Sequence, residues 1–167
     1  LYYVPLIILA TSNLWNGIMV NYSWLEMVCH IILMLCVGFI EEVIFRGFLF
    51  KAIGKDNVKT AIIISSVTFG VGHLVNLVNG SGMDLVANLF QIVGAIAFGF
   101  LFVILFYCGR SLLPCIVTHS MINILSAFAN QASLNVEKRM ISTLIEFAII
   151  LVYALILIKT LPKNRVS

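Results

Sequence analysis

LEMVCHIILMLCVGFIEEVIFRGFLFKAI, residues 25–53, decides how this chain folds. The run exceeds the roughly 20 apolar residues that an α-helix needs to cross the hydrocarbon core of a bilayer. Glu41, Glu42 and Arg46 nevertheless lie in its interior, where each charge costs at least about 3 kcal/mol. Glu42 and Arg46 are four positions apart with the acid first, so they share a helix face and can neutralise each other. Glu41 points about 100° away and has no counter-charge on its own helix. A carboxylate placed like this is suited to general-base work.

The remainder of the chain supports a membrane reading. Of its 167 residues, 62% are hydrophobic and 10% are charged, against roughly 25% charged in a soluble domain. So few charges cannot clothe a folded surface in polar groups, which excludes a water-soluble domain and makes the lipid bilayer the solvent. The net charge of +3 is scattered and gives no basic patch for nucleic acid. Six apolar segments follow one another, at about 2–20, 25–53, 60–78, 85–108, 112–129 and 141–161. They are separated by turns such as Gly54-Lys55-Asp56-Asn57, Asn79-Gly80-Ser81-Gly82 and Gly109-Arg110-Ser111, and Pro114 falls in the first turn of the fifth segment, where proline is tolerated. The expected fold is all-α: a polytopic membrane helical bundle of about six spans, forming one domain over residues 1–167. Segment 2–20 has no basic leader and no small-residue cleavage site, so it reads as a span rather than a signal peptide. The chain opens on Leu1, as a fragment or processed form would, leaving room for further spans upstream. Cys29, Cys36, Cys108 and Cys115 form no Cys-x-x-Cys pair and read as buried free thiols.

Lysine and arginine in short loops orient such a bundle. One side carries Lys51, Lys55, Lys59, Arg110, Lys159, Lys163 and Arg165, and the other carries Lys138 and Arg139. This count places both ends of the chain in the cytosol.

Two further motifs sit inside spans. Phe69-Gly-Val-Gly-His73 combines a histidine with two glycines that thin its helix for close approach of another backbone or a substrate. His119-Ser-Met-Ile-Asn123 sets an imidazole and an amide four apart on one face. At about 1.5 Å per residue, Glu41 lies roughly 15 Å from Lys51, His73 roughly 21 Å from Lys59 and His119 roughly 13 Å from Arg110. These reference charges share one side of the bundle, so three helices carry their ionisable groups to a similar depth, and one cavity open to the cytosolic side is expected to collect them. Against this stands the ordinary reading of intramembrane His and Asn as interhelical glue. That reading is preferred for Asn13, Asn16, Asn88 and Gln91, as glue or pathway lining. His30 and Glu146 read as reaching the membrane interface.

A carboxylate and an imidazole in one site can activate water. Glu41 would take the proton and His73 would hold the water, while His119 and the Asn123 amide would stabilise the oxyanion of an attacked peptide carbonyl. No serine has a basic partner at useful spacing, and His-Glu-x-x-His is absent. Two His and one Glu are nonetheless a known zinc set, so zinc on Glu41, His73 and His119 remains the alternative cofactor reading.

In that order and inside spans, Glu41-Glu42-x-x-x-Arg46, Phe69-x-x-x-His73 and His119-x-x-x-Asn123 resemble the CPBP family of CAAX prenyl endopeptidases and bacteriocin-processing or self-immunity proteins, also called Abi. The likeness covers about residues 25–129. It implies an intramembrane endopeptidase acting on a membrane-associated or hydrophobic peptide. It implies Glu41 and His73 as catalytic, His119 and Asn123 as the oxyanion site, and Glu42 and Arg46 as supporting residues. Its metal-dependent and metal-free mechanisms both stay open. It also implies a site in the membrane facing the cytosol, and the short, loop-poor chain looks more like a bacterial member, placed in the plasma membrane. Two other classes compete: a self-immunity protein that mainly binds a partner, and a proton-coupled transporter, since Glu and His also build proton relays. The transporter reading is weakened because no inverted repeat is apparent.

Overall fold

The computed structural model describes residues 2–79, 82, 85–133 and 135–161. Gly80 and Ser81 of the third-segment turn, and Lys163 and Arg165 of the charge count, lie outside them. The described residues form six helices: α1 (Val4–Ala10), α2 (Trp24–Gly54), α3 (Val58–Leu77), α4 (Leu85–Gly109), α5 (Leu113–Ser126) and α6 (Val136–Thr160). The all-helical expectation therefore holds. Four of the helices, α2, α3, α4 and α6, are long and apolar enough to cross a membrane. The other two are shorter than the six-span reading supposed: α1 has 7 residues and α5 has 14.

The shortness of α1 goes with contacts to distant parts of the chain. Polar side chains following Ala10 find partners elsewhere instead of continuing the helix. The Thr11 hydroxyl donates back to the Ile8 carbonyl at 2.9 Å, the Asn13 amide donates to the Ile122 carbonyl of α5 at 2.7 Å, and the Asn16 amide donates to Ser142 of α6 at 2.9 Å. Beyond them the chain runs along the end of α5. There the Met19 amide donates to the Phe128 carbonyl at 2.9 Å, and Asn21 donates to the carbonyls of Ala127 and Ala129 at 2.8 and 2.9 Å.

The long helices start on capping side chains. Glu26 accepts from both the Ser23 amide and hydroxyl ahead of α2, a capping box. Asn57 accepts from the Thr60 amide, and Asn135 accepts from the Lys138 amide. The winding of α2 changes immediately after the two glutamates, from α-helical over Trp24–Glu42 to a wider π-helical stretch over Val43–Phe50 that contains Arg46. Such widening is uncommon and often marks a functional position. Helix α3 tightens instead, to a 3-10 segment over Gly72–Leu77 that carries His73.

Helix α4 is the central post. Its Leu101, Phe102, Val103 and Leu105 are buried against Phe50 of α2, Ala61 of α3, Cys115 of α5 and Tyr153 and Leu157 of α6. Glycines permit the closest crossings. A methyl group added at Gly70 would stand 2.8 Å from the Ile96 nitrogen, and one at Gly99 would stand 2.8 Å from the Ser66 carbonyl oxygen, so α3 lies directly on α4. Gly38 brings α2 equally close to α5, at Ser120. Gly72 has open space around it, so of the two glycines beside His73 only Gly70 serves helix contact. Phe39, Phe48, Leu113 and Leu151 are exposed around the outside of the bundle, as a lipid-facing surface requires. Of the four cysteines, Cys108 and Cys115 are buried, whereas Cys29 and Cys36 are exposed. The expectation of burial fails for this second pair because their stretch of α2 lies on the outside of the bundle.

Candidate active site

The site is built around a buried ion pair. Arg46 Nη1 donates to Glu42 Oε1 at 2.9 Å, and both side chains are fully buried. The i,i+4 reading of this pair is thus met by direct contact. Two lone charges here would be costly, and the pair makes further contacts, although Glu42 Oε2 and Arg46 Nε are buried without a hydrogen-bond partner among the described residues. Arg46 Nη2 donates to the Gly99 carbonyl at 3.3 Å. The guanidinium carbon lies 4.3 Å from the Phe69 ring centre and 5.4 Å from that of Phe102, a cation–π arrangement that replaces part of the lost hydration.

His119 joins this pair from α5. Its Nδ1 is 2.9 Å from Glu42 Oε1, the same oxygen that accepts from Arg46. This contact occupies Nδ1 and leaves Nε2 for chemistry. Nε2 points to Glu41, 3.7 Å from Oε2. The ring is held in place by Phe102, stacked at 6.0 Å, and by Phe69, edge-on at 5.5 Å. Two consecutive glutamates therefore have different surroundings. Glu42 is buried and orients the imidazole, while the Glu41 side chain is 34% exposed and remains accessible.

His73 lies on the other side of Phe69, with ring centres 5.6 Å apart. Its Nδ1 is 3.2 Å from the Phe69 carbonyl, and its own carbonyl accepts from the Asn88 amide at 2.8 Å. A second amide contact, Asn76 to Gln91 at 2.8 Å, fastens the same 3-10 turn to α4. The Asn123 backbone carbonyl accepts from Ser126 at 2.6 Å and lies 3.2 Å from His30 Nε2. His30 also stacks on Tyr22 at 5.3 Å, so it supports the Asn123 turn.

His73, His119 and Asn123 line one cavity of about 310 Å³, together with Phe69, Phe102 and Gln91. Glu41, expected in the same cavity, is not among its lining residues and lies beside His119, which is. Sequence reasoning missed three things here: the link from Glu42 to His119, the aromatic walls Phe69 and Phe102, and the contribution of α6. Arg139, Thr143 and Glu146 all line the cavity. Glu146 faces Ser12, so it is turned inward rather than towards the interface. A period-of-seven spacing from Arg139 to Glu146 was the available signal, since it puts both on one helix face.

The cavity runs from Phe102 and His119 at mid-helix towards Ala87 and Arg139, at the beginnings of α4 and α6. Its outer end is thus beside the α3–α4 and α5–α6 connections. Lys51, Lys55, Lys59 and Arg110 belong to the opposite end of the bundle. A cytosolic lysine end and a cavity entered from the cytosol are therefore not compatible with each other.

The zinc alternative asks Glu41, His73 and His119 to converge. Among the described residues, no three His, Cys, Asp or Glu side chains stand close enough to share an ion. One His119 nitrogen is already committed to Glu42. The donor set does not fit a three-ligand metal centre.

Helices long and apolar enough to cross a membrane thus hold a cavity lined by two imidazoles and an amide, with a buried glutamate–arginine pair behind it. The family model described as type II CAAX prenyl endopeptidase Rce1-like matches residues 22–125. The chain belongs to this family, the CPBP family of integral membrane proteases. No curated protein and no solved structure matches the chain.

Proposed function

We propose that the protein is an intramembrane endopeptidase that hydrolyses a peptide bond in a membrane-associated or hydrophobic peptide by a metal-free, glutamate-dependent route. The observation that carries this reading is His119 set between two glutamates, one that orients it and one that is free to act. Glu41 takes the proton of an attacking water, which His73 helps to hold. The carbonyl oxygen becomes an oxyanion, to which the His119 Nε2–H and the Asn123 amide donate hydrogen bonds; as it collapses the C–N bond breaks and Glu41 returns its proton to the leaving nitrogen. Glu41 and His119 being neighbours supports this division, because base and oxyanion donor must flank the same carbonyl. Glu42 and Arg46 keep His119 in one orientation.

The membrane in this proposal is the bacterial plasma membrane, and the cavity faces the cytosol as the family resemblance implies. That requires the Arg139 end of the bundle to be cytosolic, the reverse of the placement given by the lysine and arginine count. The functional test is hydrolysis of a prenylated peptide by purified protein in detergent. Turnover that depends on Glu41 and survives a strong chelator supports the proposal. Turnover that the chelator abolishes would replace it with a metal mechanism.

A further inference from the structure

Helix α2 runs antiparallel to α5 and meets the stretch from His119 to Asn123 at three levels. Glu42 Oε1 lies 2.9 Å from His119 Nδ1, Gly38 lies directly on Ser120, and His30 Nε2 lies 3.2 Å from the Asn123 backbone carbonyl. The third contact has no part in the hydrolytic scheme. A carbonyl oxygen can only accept, so His30 Nε2–H is the donor here. The carbonyl is open to it because α5 tightens at this point. The Ala127 amide donates to the Ile124 carbonyl, three residues back, at 3.2 Å, and Phe128 and Ala129 donate three residues back in the same way. Asn123 thereby loses the donor four residues on that an α-helix supplies. It takes two others: the Ser126 hydroxyl of its own helix at 2.6 Å, and His30 from α2. The His30 ring is half-buried and stacked on Tyr22 at 5.3 Å, which restricts its rotation.

We propose that His30 is a positioning residue for the oxyanion site: by holding the Asn123 carbonyl it fixes the turn from which the Asn123 amide reaches the cavity. Asn123 lines that cavity together with His119. A donor to an oxyanion has to be held to within about 0.5 Å of its working position. The end of a helix, where the ladder of backbone bonds runs out, does not provide this by itself. His30 supplies it from α2, the helix that also carries Glu41 and the Glu42 contact to His119. The base and both oxyanion donors then share one frame. This rests on the endopeptidase reading above, in which Asn123 is an oxyanion donor, and adds the residue that holds it in place.

The test compares His30→Phe, which keeps a ring to stack on Tyr22 but has no N–H, with His30→Gln, whose amide can donate from a similar position. Both are made in the intact protein in nanodiscs, alone and together with Asn123→Ala, and assayed on a fluorogenic prenylated peptide. His30→Phe should lower kcat roughly 2- to 10-fold, the range for one hydrogen bond, with KM unchanged, and His30→Gln should recover most of the loss. In the Asn123→Ala background His30→Phe should cost nothing further. In parallel, nuclear magnetic resonance of protein carrying isotope-labelled asparagine follows the Asn123 side-chain amide, whose signal is identified by its loss in Asn123→Ala. His30→Phe should shift or broaden that signal, and His30→Gln should leave it near its wild-type position. Unchanged kcat in His30→Phe, an equal loss with and without Asn123, or an amide signal that His30→Phe does not move would overturn the proposal. If the amide signal responds as expected but wild-type protein cuts no peptide, the positioning contact stands and the endopeptidase reading falls.

Discussion

Nδ1 of His119 lies 2.9 Å from Oε1 of Glu42, which stands 77 positions earlier in the chain. This contact ties α5 to α2 and joins the imidazole to a buried charge pair. It also separates the surroundings of Glu41 and Glu42, which are neighbours in sequence and of one residue type; in the proposed mechanism Glu42 supports the imidazole and Glu41 acts.

Arg46 should be needed mainly for folding. Arg46→Ala leaves Glu42 buried without its counter-charge, which costs about 3–5 kcal/mol. The expected result is a strongly lowered melting temperature or poor yield in detergent. Arg46→Lys should rescue only in part, because a lysine cannot reproduce both the Glu42 contact and the flat stacking on Phe69. An Arg46→Ala protein that melts like wild type and lacks turnover would move Arg46 into the catalytic group.

The glycines around His73 should respond differently to the same change. Gly70→Ala forces a methyl into the α4 backbone, an overpacking that costs about 1–3 kcal/mol. Gly72→Ala meets open space and should be tolerated. Thermal unfolding of the two variants side by side checks this, and equal melting temperatures would count against the close α3–α4 crossing.

Much of the architecture is legible in the sequence because its causes are local. Charge scarcity and span length give a helical membrane protein, and the four-residue spacing gives the Glu42–Arg46 pair. Rise per residue places Glu41, His73 and His119 at similar depth. What is not legible depends on how helices rotate against one another. The Glu42–His119 contact, the walls formed by Phe69 and Phe102, and the inward turn of Glu146 are of this kind. The end of α1 was hidden for another reason. Residues 2–20 are apolar enough for a span, and only the distant partners of Asn13 and Asn16, Ile122 and Ser142, show why the helix stops.

Asn123→Ala should reduce kcat by roughly 100- to 1,000-fold, as loss of an oxyanion donor does, with KM nearly unchanged. Steady-state kinetics on a cleavable peptide make the comparison. A rise in KM at constant kcat would mean that Asn123 binds the substrate and does not stabilise the transition state.

The sidedness of the cavity is open to direct measurement. Lys138→Cys marks the cavity end of the bundle and Lys55→Cys marks the other. With wild-type protein as control for the native thiols, a membrane-impermeant maleimide applied to intact cells should label Lys55→Cys and spare Lys138→Cys if the cavity faces the cytosol. The opposite pattern would put the cavity on the outer side and restore the orientation given by the loop charges.

The most direct test of the central claim is the turnover of Glu41→Gln beside its affinity for the same peptide. The substitution preserves size and shape but removes the group that takes the proton, and Glu42 continues to hold His119 in place. Turnover should fall by about 100-fold or more, the usual loss for a general base, while the peptide binds as tightly as it does to the wild type. Full activity in Glu41→Gln would contradict the account and end the case for a glutamate-dependent peptidase.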